Sequence, residues 1–272
     1  MSEYLQKAKQ YKKFPYTVLT DEMRGYLQRT TLKMLKIVIR VFEKNSIRYS
    51  ICGGTLLGAV KTNHFIPWDD DIDIFVFEED YEKMLVCLEK AIPDWMVVQN
   101  QKTEPCYYHG WVKIRDKNSK VFPVEPLYKH NGVWIDIYKL RRIRKSAIPY
   151  EVSKEHMLYL LRRYQVGGID FDGLVGRIHQ NQLITQLISL ENKEKPEDDY
   201  KRVVWSASKV VLDEDVCEEF GFIKFEGTDV QTIKKYSDYL MSHYGEKYMD
   251  NPIEEDRYIN INKIVIKDAD EG

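Results

Sequence analysis

The sequence predicts an α+β protein in which a mixed β-sheet is flanked by helices. Two apolar segments, at residues 72–77 and 132–140, carry an aspartate between isoleucines as buried strands can, and segments with helical spacing lie between them and beyond. Hydrophobic residues make up 43% of the 272 residues and charged residues 31%, a balance typical of globular proteins. We expect a core at residues 1–145 and a mainly helical region at residues 146–272, packed together as one unit.

The predicted elements alternate along the first half of the chain. Leu35, Ile39 and Phe42 recur at helical spacing and predict a helix over residues 21–43, with Thr20 as its N-cap. The remaining elements predicted here are strands at residues 47–52, 95–99, 106–115 and 132–140 and a helix at residues 78–91. The amphipathic stripe of the first helix is expected to pack on the sheet.

The second half has less distinctive patterns. Helical spacing dominates from residue 147, and residues 192–200 are predicted to form a charged connector. Residues 220–227 are predicted to be a short strand or a loop. Residues 230–244 are predicted to form a helix that ends at Gly245.

A glycine turn follows the strand at residues 47–52. Gly53 and Gly54 break the strand, and a helix begins with Thr55. The first amides of such a helix have no partner within it, and the positive end of the helix dipole lies there, so the turn can bind phosphate. Considered alone, a glycine pair is more often an ordinary tight turn.

Four aspartates precede and enter the apolar strand at residues 72–77. Side chains alternate along a strand, so Asp71 and Asp73 lie on one face, about 7 Å apart at a rise of ~3.3 Å per residue. Asp69 and Asp70 lie at the entry of the strand. Paired carboxylates bind hard cations such as Mg²⁺ or Mn²⁺, and beside a phosphate-binding turn they outline a phosphoryl-transfer site.

Two other interpretations of the acidic run are less consistent with its context. A solvated acidic turn would not lead into a strongly apolar strand, where unpaired carboxylates are costly. A calcium loop would place Asp69 first, but Ile74 then occupies the sixth position, where a sharp turn requires glycine, and Asp80 replaces the usual glutamate at the twelfth.

Two further strands carry charged candidates. Asp136 lies between isoleucines in the strand at residues 132–140. If its carboxylate is buried, it requires a partner. The alternative is an exposed or hydrogen-bonded aspartate at the end of the strand. Trp111, Lys113 and Arg115 share one face of the strand at residues 106–115. Its two cations are candidates for binding phosphate, although a solvated sheet face would show the same alternation.

The segments GGTLLGAVK at residues 53–61 and FIPWDDDIDIFVFEEDYEKM at residues 65–84 resemble the signature of the LicD-type family. These are phosphocholine transferases of bacterial surface glycans, related to the fukutin-type transferases. The resemblance is strongest at residues 49–84 and extends more weakly over residues 24–252. It departs at Lys61, where the family usually has arginine, and at His64, where glycine is common.

The resemblance implies a nucleotidyltransferase-like fold and a set of site residues. Asp71, Asp73 and Asp136 would hold one or two Mg²⁺ or Mn²⁺ ions, the third carboxylate coming from a neighbouring strand. Asp69 or Asp70 would act as a further ligand, as a general base or in support of the ligands. The other residues implied to bind the donor are Gly53, Gly54, Thr55, Lys61, Trp68, Lys113 and Arg115.

The implied reaction is metal-dependent transfer of a phosphorylated small alcohol from a CDP-linked donor such as CDP-choline. Its acceptor would be a hydroxyl of a cell-surface glycan, a lipid-linked glycan or a teichoic acid precursor, and CMP would be released. The alternatives are a nucleotidyltransferase that transfers a nucleoside monophosphate, and a non-catalytic nucleotide-binding module. The aromatic residues expected to include the choline contacts are Trp68, Tyr107, Tyr108, Trp111, Trp134 and Tyr138.

Composition argues against several other classes. The 41 basic and 43 acidic residues give a formal charge of −2 without a basic block, which argues against nucleic acid as a partner. No segment approaches about 18 consecutive apolar residues, and no secretory signal is recognisable, so a cytoplasmic protein with at most peripheral membrane contact is expected. The four cysteines have no zinc or disulfide spacing and are expected to be reduced thiols.

Overall fold

A computed structural model describes residues 14–123, 128–165, 169–191, 202–206, 210–253 and 257–267. The helices are α1 (Asp21–Lys44), α2 (Gly53–Thr62), α3 (Glu78–Ala91), α4 (Ile148–Gln165), α5 (Phe171–Glu191) and α6 (Tyr236–Tyr244). The strands of the first half are β1 (Phe14–Pro15), β2 (Tyr49–Ile51), β3 (Ile72–Phe77), β4 (Met96–Gln99), β5 (Val112–Asp116), β6 (Ser119–Phe122) and β7 (Trp134–Arg144). Those of the second half are β8 (Arg202–Ser206), β9 (Val210–Asp213), β10 (Phe220–Phe225), β11 (Thr228–Ile233), β12 (Tyr258–Ile259) and β13 (Lys263–Ile266).

A mixed sheet with strand order β2-β3-β7-β5-β4 forms the centre of the molecule. β3 and β7 run parallel, whereas β2, β5 and β4 are antiparallel to their neighbours. The far half of β7 continues into a pairing with β8, which in turn pairs with β9. The predicted α+β class with a mixed sheet and flanking helices is confirmed.

The two faces of the central strands differ in chemistry because side chains alternate along each strand. Ile72, Ile74, Ile135 and Ile137 are fully buried in the main hydrophobic core, to which α1 and α3 contribute Leu, Met and Phe side chains. The opposite face carries the aspartates. Helix α1 begins where Thr20 accepts a hydrogen bond from Met23 N, as predicted for its N-cap.

Two predicted elements differ from the structure. The strand expected at residues 106–115 begins only at Val112, since residues 106–111 turn away and place Tyr107 and Tyr108 in a separate aromatic cluster with Tyr128. The helix expected at residues 230–244 is the strand β11 followed by α6. β11 forms a hairpin with β10, and Ile233 N donates to Ser50 Oγ of β2, so pairing partners remote in sequence overrode the helical spacing.

The second half is helical over α4 and α5, but the secondary structure described after residue 201 consists mainly of strands. The expectation of a mainly helical region therefore holds for its first part only. In the later part, β8 pairs with the far half of β7, whose backbone groups would otherwise remain unpaired at an edge of the sheet. The predicted connector at residues 192–200 lies outside the described residues. Among the described helices, none combines the length and the apolar character needed to cross a membrane.

Candidate active site

Strand register brings an acidic row together on the polar face of the sheet. Asp73 in β3 is the direct neighbour of Asp136 in β7, and Lys113 in β5 is the neighbour of Asp136 on its other side. Directly paired residues face the same side of a sheet. Two carboxylates and an ammonium group therefore lie side by side across three strands.

Asp71 completes an acidic cluster at the entry of β3. One carboxylate oxygen from each of Asp71, Asp73 and Asp136 lies within 4.8 Å of the others. Asp136 is buried, whereas Asp71 and Asp73 are half-buried. This geometry matches the expectation that these three carboxylates converge, with one carboxylate contributed by a neighbouring strand.

Asp136 is surrounded by hydrogen-bond donors. Lys113 Nζ donates to both carboxylate oxygens, at 2.6 and 2.8 Å, in a buried ion pair. Trp111 Nε1 donates to Asp136 Oδ1 at 3.0 Å, and Trp134 Nε1 donates to Asp136 Oδ2 at 3.2 Å. The buried carboxylate thus has the partners that its position requires, and Lys113 in this structure neutralises Asp136.

The glycine turn lies directly against the acidic cluster. Gly53 has φ +55°, and a Cβ there would collide with the Asp73 carboxylate, so only glycine fits the position. Gly53 N donates to the hydroxyl of Tyr239 at 2.8 Å, and Asp73 N donates to Thr55 Oγ1 at 3.0 Å. Helical hydrogen bonding in α2 begins with Leu56 N, so the amides of Gly54 and Thr55 precede it.

Asp69 and Asp70 have different surroundings. Asp70 is buried and accepts a hydrogen bond from Asn260 N at 2.6 Å, which ties the loop to the C-terminal part of the chain. Asp69 lies over the start of α2, where a Cβ on Gly54 would be 2.5 Å from Asp69 Oδ2. Within the described part of the chain, Asp69 Oδ2 is shielded from solvent and has no hydrogen-bond donor.

Three further residues from the sequence prediction are engaged elsewhere. Lys61 Nζ donates to Asn251 Oδ1 at 2.7 Å, near the C-terminal end of α2. The Arg115 guanidinium donates to Gln99 Oε1 at 2.7 Å and to the Gly132 carbonyl at 2.6 Å. The indole of Trp68 packs in a core cluster, with the Arg257 guanidinium 5.0 Å from its ring centroid.

The electrostatics of the cluster favour protonation when no cation is present. Burial, reinforced by Asp136, raises the pKa of Asp73 to about 8. Burial and then the Asp73 carboxylate raise the pKa of Asp71 well above its ordinary range, and burial and then Asp73 do the same for Asp69. Burial lowers the pKa of Lys113, while Asp136 opposes that change. A cation at the cluster would relieve the carboxylate repulsion.

The residues present fit a hard divalent cation. The ligand atoms are all carboxylate oxygens, which Mg²⁺ and Mn²⁺ prefer, and they converge from two strands on a face that remains partly open. Asp69 is not one of the three converging carboxylates, but it lies close enough for Asp73 to contribute to its raised pKa, and its Oδ2 has no hydrogen-bond donor among the described residues. The three converging carboxylates are the candidate ligands.

Several residues that hold the site together are not among those predicted from the sequence. Tyr239 lies in a segment whose pattern indicated only a helix, and its contact with Gly53 joins residues 186 positions apart. Asn260 supports Asp70 from a similar distance along the chain. The pairing of Lys113 with Asp136 was also missed. Its only local signal was the alternation of charges in β5, which could equally indicate a solvated face.

Comparisons with known proteins identify the domain. Residues 46–164 match the family model "LicD/FKTN/FKRP, nucleotidyltransferase domain". Lipopolysaccharide cholinephosphotransferase LicD of Haemophilus influenzae is 25% identical over 254 residues, which are 85% of this chain and 92% of that protein. An uncharacterized protein of Rickettsia typhi is 46% identical over 148 residues, 52% of this chain and 40% of that protein.

The human ribitol 5-phosphate transferase FKRP is a more partial match. It is 28% identical over 117 residues, 40% of this chain and 23% of FKRP. The matched family model covers the acidic cluster, the glycine turn and the sheet that carries them. Residues 46–164 therefore form a LicD-type nucleotidyltransferase domain, related to the fukutin-type transferases, and the protein is a transferase.

Proposed function

We propose that the protein is a metal-dependent phosphotransferase that moves phosphocholine from CDP-choline to a glycan hydroxyl and releases CMP. The observation that carries this proposal is the convergence of Asp71, Asp73 and Asp136 within 4.8 Å, beside the turn at Gly53 and Gly54. Carboxylates next to the start of a helix provide for a divalent cation and for the phosphates it accompanies.

The residues around the cluster have separate tasks in this proposal. A Mg²⁺ or Mn²⁺ ion held by the three carboxylates would neutralise phosphate charge and lower the pKa of the attacking hydroxyl. The amides of Gly54 and Thr55 would donate to phosphate oxygens, because they precede the helical hydrogen bonding of α2. Lys113 is buried against Asp136, which supports a role in holding that carboxylate.

The proposed reaction is a substitution at the phosphorus that carries the alcohol. The acceptor hydroxyl oxygen forms a bond to this phosphorus, the bond from the phosphorus to the CMP oxygen breaks, and the hydroxyl proton leaves to a base. Asp69 is the better candidate for that base, because its Oδ2 has no donor among the described residues, whereas Asp70 is held by Asn260.

The preference for choline rests on sequence coverage and on accessible rings. The Haemophilus relative, whose name specifies a cholinephosphotransferase, aligns with 85% of the chain, against 40% for FKRP. Trp111 and Tyr138 pack together with ring centroids 5.3 Å apart, are half-buried, and both donate hydrogen bonds to Asp136. Aromatic faces are the usual partners of a quaternary ammonium group, which has no hydrogen to donate.

The acceptor is proposed to be a hydroxyl of a cell-surface glycan, of its lipid-linked form or of a teichoic acid precursor. The name of the Haemophilus relative specifies lipopolysaccharide, a surface glycan. A cytoplasmic site of action remains part of the proposal, since the donor would be a cytoplasmic nucleotide.

The test is a donor screen at saturating Mg²⁺. CDP-choline, CDP-ethanolamine, CDP-glycerol and CDP-ribitol are incubated with the protein and glycan extracts, and CMP release is measured with and without EDTA. We expect metal-dependent CMP release with CDP-choline, abolished in Asp73→Asn and retained in Asp80→Asn, whose half-buried carboxylate lies in α3 and pairs with the exposed Arg48. Release only from a polyol donor would refute the choline assignment. Release of pyrophosphate from a nucleoside triphosphate would instead indicate a nucleotidyltransferase.

A further inference from the structure

A single indole N–H joins two of the clustered carboxylates. Trp134 Nε1 donates to Asp71 Oδ2 at 2.9 Å and to Asp136 Oδ2 at 3.2 Å. Asp71 lies at the entry of β3 and Asp136 lies in β7, so this bifurcated hydrogen bond crosses between the two strands. Trp111, by contrast, donates only to Asp136 among the carboxylates of the cluster.

The Trp134 ring is held in place by core packing and by two cations. Its indole is 7% exposed and packs in the core cluster that contains Val133 and Ile261. The Lys113 ammonium lies 4.4 Å from the ring centroid and the Arg115 guanidinium 5.0 Å from it. Two buried cations on the ring, each anchored by its own hydrogen bonds, prevent the indole from turning away.

This arrangement opposes the repulsion between the carboxylates. Two carboxylates a few ångströms apart move apart or lose charge unless a donor or a cation lies between them. A rigid donor shared by both oxygens keeps them pointing toward one region without adding a positive charge there. Donors behind metal-binding carboxylates usually orient them in this way, and their loss weakens metal binding about 10- to 100-fold.

We propose that Trp134 is a positioning residue that holds Asp71 and Asp136 in the orientation in which both bind the divalent cation. This inference rests on the proposed function for the presence of the metal. It assigns to Trp134 a task that Trp111, the other indole donor to Asp136, does not share. The two tryptophans therefore form a matched pair for the test.

The first experiment compares Trp134→Phe with Trp111→Phe by calorimetric titration with Mn²⁺ in the absence of donor. Both variants lose one indole donor to Asp136, but only Trp134→Phe loses the bridge to Asp71. We expect Mn²⁺ affinity to fall about 10- to 100-fold in Trp134→Phe. It should fall by a clearly smaller factor in Trp111→Phe, because Lys113 and Trp134 still donate to Asp136 in that variant. Equal losses in the two variants, or unchanged affinity in Trp134→Phe, would overturn the proposal. Thermal unfolding in EDTA identifies a variant that has merely lost its fold.

A second measurement uses the wild-type protein and does not depend on the folding of a variant. The indole N–H resonances are recorded by ¹H–¹⁵N NMR in EDTA and at saturating Mg²⁺. We expect the Trp134 signal to shift, with Trp95 and Trp205 unchanged. An unchanged Trp134 signal in a protein that binds Mg²⁺ by calorimetry refutes the positioning role alone. Absence of Mg²⁺ binding to the wild type refutes the metal site of the proposed function, and this inference with it.

Discussion

The contact between Tyr239 and the glycine turn makes a specific prediction for Tyr239→Phe. This substitution removes the hydroxyl that accepts a hydrogen bond from Gly53 N at 2.8 Å and changes nothing else in the side chain. The ring contact with Phe75, at a centroid distance of 5.7 Å, should therefore persist. Tyr239 is 1% exposed, so water has no direct access to the orphaned Gly53 amide.

The expected loss of stability follows from that burial. Leaving a buried donor without its acceptor costs about 1–3 kcal/mol, more than the net value of an ordinary hydrogen bond. We therefore expect the free energy of unfolding, measured by urea denaturation in EDTA, to decrease by about 1–3 kcal/mol with an unchanged m-value. Because Gly53 also borders Asp73, the turn should become less ordered and KM for the donor should rise more than kcat falls.

A matched control is available in the same chain. Tyr150→Phe also removes one phenolic hydroxyl, but the Tyr150 side chain is 60% exposed on α4, and water can replace its hydrogen bonds. It should leave stability and kinetics nearly unchanged. A loss below about 0.5 kcal/mol in Tyr239→Phe, or a loss equal to that of Tyr150→Phe, would refute the assignment of the Tyr239 hydroxyl as the partner that holds the turn.

Three further predictions concern the glycine turn and the carboxylates. Gly53→Ala should lower the free energy of unfolding, measured by urea denaturation, by at least about 1–2 kcal/mol and should abolish CMP release. The reason is that the φ of +55° at this position disfavours a side chain and that the new Cβ would collide with Asp73. Wild-type stability of the variant would contradict this prediction. Asp71→Asn or Asp73→Asn should reduce turnover by roughly 10²- to 10⁴-fold. Circular dichroism should show that the fold is kept. A variant that retains more than about a tenth of the wild-type rate would rule out the metal assignment. The third prediction is a pH dependence. Burial raises the pKa of Asp73 from 3.8 to about 8, so the folded metal-free protein retains a proton that the unfolded chain releases. This contribution to stability is present below about pH 4 and is lost as the pH rises through about 8. In EDTA, the free energy of unfolding should decline over this pH range in the wild type, and the decline should be flatter in Asp73→Asn. Mg²⁺ should raise the melting temperature more at pH 8 than at pH 6. A Mg²⁺ effect that does not depend on pH would contradict the prediction.

The local pattern of the sequence was sufficient for the elements that carry the site. Alternation places Asp71, at the entry of β3, and Asp73 on one face whatever that strand pairs with, and Ile72 and Ile74 bury the other face. A glycine pair between a strand and a helix predicts the turn for a similar reason, since φ +55° at Gly53 is a property of the backbone itself. The helices α1 and α3 followed from their spacing and began within a residue of the prediction.

Only the tertiary structure decided which charges meet. Lys113 pairs with Asp136 because β5 lies beside β7 in a particular register, and a shift of one residue would have turned the lysine to the other face. Tyr239 and Asn260 reach the turn and Asp70 only because the chain returns to the site after about 190 residues, a separation for which local spacing has no signal. The same return determined that residues 228–233 form a strand: the backbone of β11 found partners in β10 and β2, and satisfied hydrogen bonds outweighed helical periodicity.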